Sequence, residues 1–402
     1  MASSLEQSRC NLRGLASLAA TTFLTFLFLW QVLIPTGRRI MFLATAQSKS
    51  IAGHRVFRVF NEANSPIGHL APSFKPGKLF YDGDHRLWVA PASIGERMVA
   101  TFEETTGRWM LFGERQDITV STLNYRPGAL IPYRVKRIAE SRSGEMWFVD
   151  KTAYSKTVSS KPYLTSFDGK SWQVHDIAKN TSGFIQVGLF SDRGTLWFWA
   201  GEELWSYDGK LWTRIFDSLK NLPPSHRVIG TAPQEERRHY GNGPYEIFDV
   251  MKDREGLWWF ALGGGIRRFD DQKKEWKMFP QIPMAVDIFE DKLGRLWFGD
   301  TFSVSVYNKT SDSIREFRFS DHFSDADCGD AYPGLNCIYQ DKRGQMLFGH
   351  GCGLVRYDEA KEKWDLVSLA DIGLANEVED IVDDRDGRIW ISTRSGLVVL
   401  DP

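Results

Sequence analysis

The chain has 402 residues, 42% hydrophobic and 25% charged, which excludes a largely disordered polypeptide. Fifty Lys and Arg against fifty-one Asp and Glu leave a formal net charge of -1, so there is no basic excess to neutralise a phosphate backbone, and nucleic acid is excluded as a partner. Four cysteines, Cys10, Cys328, Cys337 and Cys352, form no CxxC pair, which excludes a disulfide scaffold and a zinc ribbon.

The chain opens on a segment unlike the rest. Between Arg13 and Arg38 no residue is charged, and Leu15 to Ile34 is nearly continuous apolar sequence, about the length that crosses a bilayer as a helix. Residues 1–46 are therefore expected to be a membrane anchor, or an export signal cleaved near Ala46, with membrane contact through 15–34. Arg9 and Arg13 on one flank balance Arg38 and Arg39 on the other, so charge alone does not orient the span.

Residues 47–75 read as a linker holding one β-rich piece, His54 to Phe60 (HRVFRVF). From 76 to 402 the chain reads as strands and turns, organised by one repeated pattern: an acid or Ser, two positions, usually Gly, one position, an apolar residue, then Trp. Asp291-Lys292-Leu293-Gly294-Arg295-Leu296-Trp297 is one copy; the Trp slot recurs at 88, 147, 197, 259, 297 and 390, with Leu347 filling it in a seventh. An apolar strand precedes each turn (IFDVMKD, AVDIFED, NCIYQD, VEDIVDD) and the Trp strand follows it. Asp and Gly suit the reversal, one by accepting backbone N–H bonds and the other by taking a positive φ. A third strand ends at Tyr207-Asp208, Phe269-Asp270 or Tyr357-Asp358, and a fourth carries Trp172, Trp212, Trp276, Phe317 or Trp364. Seven units of four antiparallel strands predict an all-β, seven-bladed propeller preceded by an N-terminal hydrophobic helix. The last unit stops at Pro402 one strand short, so residues 54–60 are expected to close the ring.

The tail EVEDIVDDRDGRIWISTRSGLVVLD closely resembles the two-component regulator propeller repeat, and AVDIFEDKLGRLWFGD and CIYQDKRGQMLFGHGCGLVRYD resemble it nearly as well. The repeats at Trp88, Trp147 and Trp197 depart from it, with His85 in place of the Gly and Ser141 and Ser191 in place of the Asp. The resemblance implies a non-catalytic extracytoplasmic sensor propeller that works with a separate membrane sensor kinase. It implies no cofactor.

In a propeller the inter-blade loops and the breaks between second and third strands open on one face, where ligands are expected. The insertion at 222–244 brings His226, Arg227, Arg237, Arg238, His239 and Tyr240 toward that rim, groups suited to an anionic ligand. Asp300, His350 and Arg394 lie at the corresponding breaks of three successive units, and Trp199, two positions past its motif Trp, is the aromatic placed to stack on a small molecule, glycan or peptide. His350 and Asp300 alone make no metal set, and Gly263-Gly264-Gly265 opens no helix, so metal and nucleotide sites are not expected. Cys328, in an insertion, and Cys352, in the next break, should reach the same face and form a disulfide in an oxidising compartment. The regular Trp and turn Asp are expected to pack between blades. Two further readings stay open: a streptogramin-lyase-like enzyme, for which only His350 is suitably placed, and a protein-interaction platform. A sialidase is disfavoured, because Arg227, Arg237 and Arg238 come from one loop rather than several blades.

Overall fold

The computed structural model describes residues 32–33, 39–40, 50–61, 75–91, 98–113, 135–150, 163–175, 187–201, 203–216, 247–324 and 334–401. Residues 1–49 form one unit and 50–402 another. In the first, Val32–Leu33 pairs antiparallel with Arg39–Ile40. Val32 and Leu33 thus lie in a strand rather than in the helix expected over 15–34, and the rest of that segment lies outside the described residues. No helix among the described residues is long and apolar enough to cross a membrane.

The second unit is a seven-bladed propeller. Blade 1 consists of Pro76–Tyr81, Arg86–Pro91, Met98–Glu103 and Arg108–Gly113, each antiparallel to the next. Blades 2 to 7 begin with Val135–Glu140, Val187–Asp192, Ile247–Lys252, Asp287–Glu290, Leu335–Gln340 and Val378–Asp383. These first strands touch in sequence, and that of blade 7 lies beside that of blade 1, which closes the ring. Blade 7 takes its fourth strand from the other end of the chain: His54–Asn61 runs antiparallel to Gly396–Leu400, with Phe60 opposite Leu397. Ser50–Ile51 then folds back through Ala52 and Gly53 as a fifth strand.

Seven apolar clusters hold the ring, each at the junction of two neighbouring blades. The motif Trp residues sit in them; Trp88 of blade 1 lies 5.6 Å from Phe148 of blade 2, centroid to centroid. The turn Asp does more than reverse the chain. Asp82 accepts from Arg86 N at 2.8 Å on one oxygen and from the Trp88 indole at 2.7 Å on the other. Asp253, Asp291 and Asp384 bind Trp259, Trp297 and Trp390 in the same way, at 2.8, 2.9 and 3.0 Å. The carboxylate therefore ties the inter-blade aromatic to its own turn with a charge-assisted bond.

Departures from the motif have visible consequences. Ser141 keeps the turn bond to Glu145 N, and the Trp147 indole turns to the Glu145 carboxylate at 3.0 Å. In blade 3 the hairpin tightens to a two-residue turn, Arg193-Gly194, with both φ positive (52° and 80°). No carboxylate then reaches Trp197, whose buried indole N–H has no partner among the described residues. Trp259→Phe is accordingly expected to cost more stability than Trp197→Phe by about 1.5 kcal/mol or more. Equal losses in urea titrations would show that the indole bond contributes nothing.

Candidate functional site on the ring axis

The residue four positions before the turn acid is Lys78 in blade 1, Arg137 in blade 2, Asp249 in blade 4, Asp287 in blade 5, Cys337 in blade 6 and Asp380 in blade 7. On the innermost strands these positions surround the axis. In blades 4, 6 and 7 a bulge precedes the position, between Ile247 and Asp249, Leu335 and Cys337, and Val378 and Asp380. The local kink re-aims a side chain.

Each axial carboxylate is held on both oxygens. Asp249, Asp287 and Asp380 each accept from a backbone N–H of the next blade, Ile288, Ile338 and Leu79, at 2.9 Å. Their other oxygens face cations: Arg137 Nη2 lies 2.9 Å from Asp287 and 3.5 Å from Asp249, and Lys78 Nζ lies 3.7 Å from Asp380. Lys78 also donates to the Glu379 carbonyl at 3.0 Å. Arg137 passes over blade 3, whose axial position is open at Gly188, to reach blades 4 and 5. Burial opposes its charge, but the three carboxylates outweigh it and hold the guanidinium firmly protonated. Burial pushes the Asp249 carboxyl up to about 7; Arg137 pulls it down and the neighbouring Asp287 pushes it further up. Two cations against three acids leave one negative charge, which a proton on Asp249 cancels. The buried Cys337 thiol is pushed well above its ordinary range by burial, so it is an inert thiol at neutral pH.

The residues singled out from the sequence fall elsewhere. His226, Arg227, Arg237, Arg238, His239 and Tyr240 lie outside the described residues. Trp199, expected as a stacking surface, is only 1% exposed. It pairs across the hairpin with Gly188, where blades 2 and 4 to 7 set Val149, Ala261, Gly299, Gly349 and Ser392 opposite their axial residues. Blade 3 thus reverses the usual large and small partners, and its extra Trp fills the space that glycine leaves. A Cβ on Gly188 would lie 1.9 Å from the Trp199 ring. Gly188→Ala is therefore expected to cost about 1–3 kcal/mol in a denaturant titration. An unchanged midpoint would mean that the ring has room to turn, and would restore it as a candidate ligand contact.

Asp300 binds its own loop, accepting from Phe302 N at 2.6 Å, Ser303 N at 2.7 Å and Ser303 Oγ at 3.1 Å. Burial lifts its carboxyl above the ordinary range while those donors oppose the shift. His350 is buried, its ring 4.9 Å from Phe319 and 5.6 Å from Phe323, and Nδ1 accepts from Cys352 N at 3.2 Å. Burial lowers it to about 4, so it is neutral at pH 7 with its proton on Nε2. Arg394 is half exposed and pairs with Glu377 at 2.7 Å and Glu379 at 3.2 Å. The three sit at equivalent breaks of blades 5, 6 and 7, each engaged by its own surroundings. Cys352 is disulfide-bonded; Cys328, its expected partner, lies outside the described residues. Among the described residues no group of three or more His, Cys, Asp or Glu could hold a metal ion.

Residues 373–395, which span the start of blade 7, match the family model described as two component regulator propeller. The chain carries that repeat. Comparison with curated proteins finds no match. Among solved structures it is similar to the extracellular domain of the putative one component system BT4673 from B. thetaiotaomicron, at 12% identity and TM-score 0.56 over 82% of this chain. This chain spans only 38% of that domain's length. It is also similar to virginiamycin B lyase from Staphylococcus aureus, at 14% identity and TM-score 0.55 over 86% of this chain and 98% of that one. A third similar structure is YCF48 from Cyanidioschyzon merolae, at 13% identity and TM-score 0.54 over 82% and 96%. At these identities the likeness is one of fold.

Proposed function

We propose that the chain is a non-catalytic, extracytoplasmic binding propeller of sensor type. It is held at a membrane through residues 15–34, or released after cleavage near Ala46, and it engages a small molecule, glycan or peptide on its loop face. Its signal passes to a separate membrane sensor kinase. The observation that carries this reading is the axial ion network: each carboxylate there accepts a backbone N–H from the next blade and faces a cation within 4 Å, so the polar groups of the axis clamp neighbouring blades together. Recognition is thereby left to the face of breaks and insertions. The lyase reading rests on His350 as base, and that ring is caged by Phe319 and Phe323. The platform reading gains from another solved structure in the comparison, YCF48 bound to D1 peptide.

A thermal-shift screen of the full chain in detergent, against glycans, peptides and small anions with and without EDTA, tests the proposal. The expected result is a rise in Tm with one ligand class, unchanged by EDTA. A rise that EDTA abolishes would favour the lyase reading instead, and no rise with any class would favour a platform for a folded partner.

A further inference from the structure

The turns that join third and fourth strands follow one rule in blades 2 to 6. The third strand runs into Asp168, Asp208, Asp270, Asn308 or Asp358, and one side-chain oxygen of that residue closes the turn. Asp168 Oδ1 accepts from Lys170 N at 2.8 Å and Ser171 N at 2.7 Å, Asp208 Oδ1 from Lys210 N and Leu211 N at 2.9 Å, and Asp270 Oδ1 from Gln272 N at 3.0 Å and Lys273 N at 3.1 Å. Asp358 Oδ1 accepts from Lys361 N at 3.3 Å. In blade 5 Asn308 Oδ1 does the same toward Thr310 N at 2.9 Å and Ser311 N at 3.2 Å. An acid and an amide close this turn equally well, so the turn does not account for the amide in blade 5.

A second departure accompanies the first. Two residues after the acid the other four turns place Lys170, Lys210, Gln272 and Ala360; after Asn308 stands a hydroxyl, Thr310. Asn308-Lys309-Thr310 is thus an Asn-x-Thr triplet without Pro, the acceptor pattern for an N-linked sugar. A further triplet of this kind, Asn180-Thr181-Ser182, lies outside the described residues. Lys309 turns away from the tip, its Nζ held by Asp253 at 2.9 Å and Glu290 at 3.0 Å. Thr310 and Ser311 are exposed, and no described residue binds Asn308 Nδ2 or the Thr310 hydroxyl. The amide nitrogen and the hydroxyl beside it are therefore left to solvent while the backbone between them is fixed. An independent feature points to a compartment where such sugars are added: Cys352 is disulfide-bonded, and disulfides persist in oxidising, exported surroundings.

We infer that Asn308 is the attachment site of an N-linked glycan, an inference that rests on the proposed extracytoplasmic placement. The amide nitrogen bonds to the anomeric carbon of an oligosaccharide carried on a polyprenyl pyrophosphate, under a membrane-bound oligosaccharyltransferase. The bond from that carbon to the pyrophosphate oxygen breaks, the lipid pyrophosphate leaves with the electron pair, and the amide gives up one proton. Oδ1 stays an amide oxygen, so the bonds to Thr310 N and Ser311 N that close the turn survive the modification. The third-to-fourth-strand turn lies at the opposite end of the blade from the break at Thr301-Phe302, so the glycan stands clear of the loop face.

The test is intact-glycopeptide mass spectrometry on the full chain isolated from the cells that make it, digested without reduction so that the state of Cys352 is read in the same sample. The expected result is a sugar-bearing peptide whose fragments place the mass on Asn308. Asn308→Asp, which installs the residue the other four turns use and so keeps the fold, should lose it completely, as should Thr310→Ala, while Thr310→Ser should retain it. A sugar on Asn308 that vanishes in Thr310→Ala upholds the site whatever Cys352 shows. A sugar that persists in Thr310→Ala overturns it, because the hydroxyl would then play no part in acceptor recognition. Bare Asn308 with Cys352 in a disulfide overturns the glycan and leaves export standing. Bare Asn308 with Cys352 as a free thiol overturns both.

Discussion

Replacing His54 with Ala is expected to cost the propeller about 3–5 kcal/mol, because it strands a buried carboxylate. In blades 1, 4, 5 and 7 the second oxygen of the turn Asp is occupied by an indole N–H. Blade 6 has Leu347 in the Trp slot, and the vacant oxygen of Asp341 is taken by His54 Nε2 at 2.9 Å, both side chains 1% exposed. The other ring nitrogen meets the Asp401 carbonyl at 2.9 Å, so Nδ1 must carry a proton. With Nε2 against a carboxylate, the pair then holds a second proton, and the contact is an ion pair or its shared-proton equivalent. Burial works against the Asp341 charge, yet the His54 bond and backbone donors hold its carboxyl below the ordinary range. Its contribution is therefore present above the unfolded value and is lost as pH falls through the folded one. The missing indole volume is filled from the same source, since Ile51 and Ala52 of the N-terminal hairpin pack with Leu347.

A double-mutant cycle separates this exchange from general damage. Leu347→Trp alone should overpack against Ile51 and Ala52 and cost about 1–3 kcal/mol. In the His54→Ala background the same Trp should recover part of the loss, because its N–H can again reach Asp341. Strictly additive penalties in urea titrations would refute the idea that His54 replaces the indole.

That exchange also marks how far the sequence can be read. The turn motif recurs because one geometry is imposed seven times, so blade number, strand order and the N-terminal closing strand followed from spacing alone. That the turn Asp also accepts from the motif indole was hidden, since a local turn explains an Asp equally well. Leu347 was legible as a departure, but its compensation lies 293 residues away at His54, and no local pattern links them. The axial residues stood in plain view within IFDVMKD, AVDIFED and VEDIVDD. They passed as strand polarity because the position runs Lys, Arg, Asp, Asp, Cys and Asp around the ring: it is defined by pairing across blades, whereas a repeat search rewards sameness. Trp199 misled for the opposite reason. An aromatic outside the period looked functional, when it was balancing a glycine on the neighbouring strand.

The axial network makes the second large prediction, in which pH decides the size of a mutational effect. Asp249 titrates at about 7 in the ring against 3.8 in a free chain. Between those values the folded protein holds a proton that the unfolded chain has released, so this residue makes stability fall as pH rises from about 4 to 7, with no further change above. Arg137→Met should therefore be asymmetric. Near pH 8 it leaves Asp249 and Asp287 both ionised without their shared cation, at a cost of about 3–5 kcal/mol. Near pH 5 Asp249 is already protonated and the penalty should be much smaller. Asp249→Asn removes the titrating group, so its stability curve should lose the decline between pH 4 and 7, and the Arg137→Met penalty measured in that background should become nearly independent of pH. Urea midpoints at pH 5 and pH 8 for the three variants and the parent test this directly. An Arg137→Met penalty equal at both values would mean that the guanidinium acts through packing rather than charge. The blades would then be centred by shape alone, with the axial charges adding nothing to the stability of the ring.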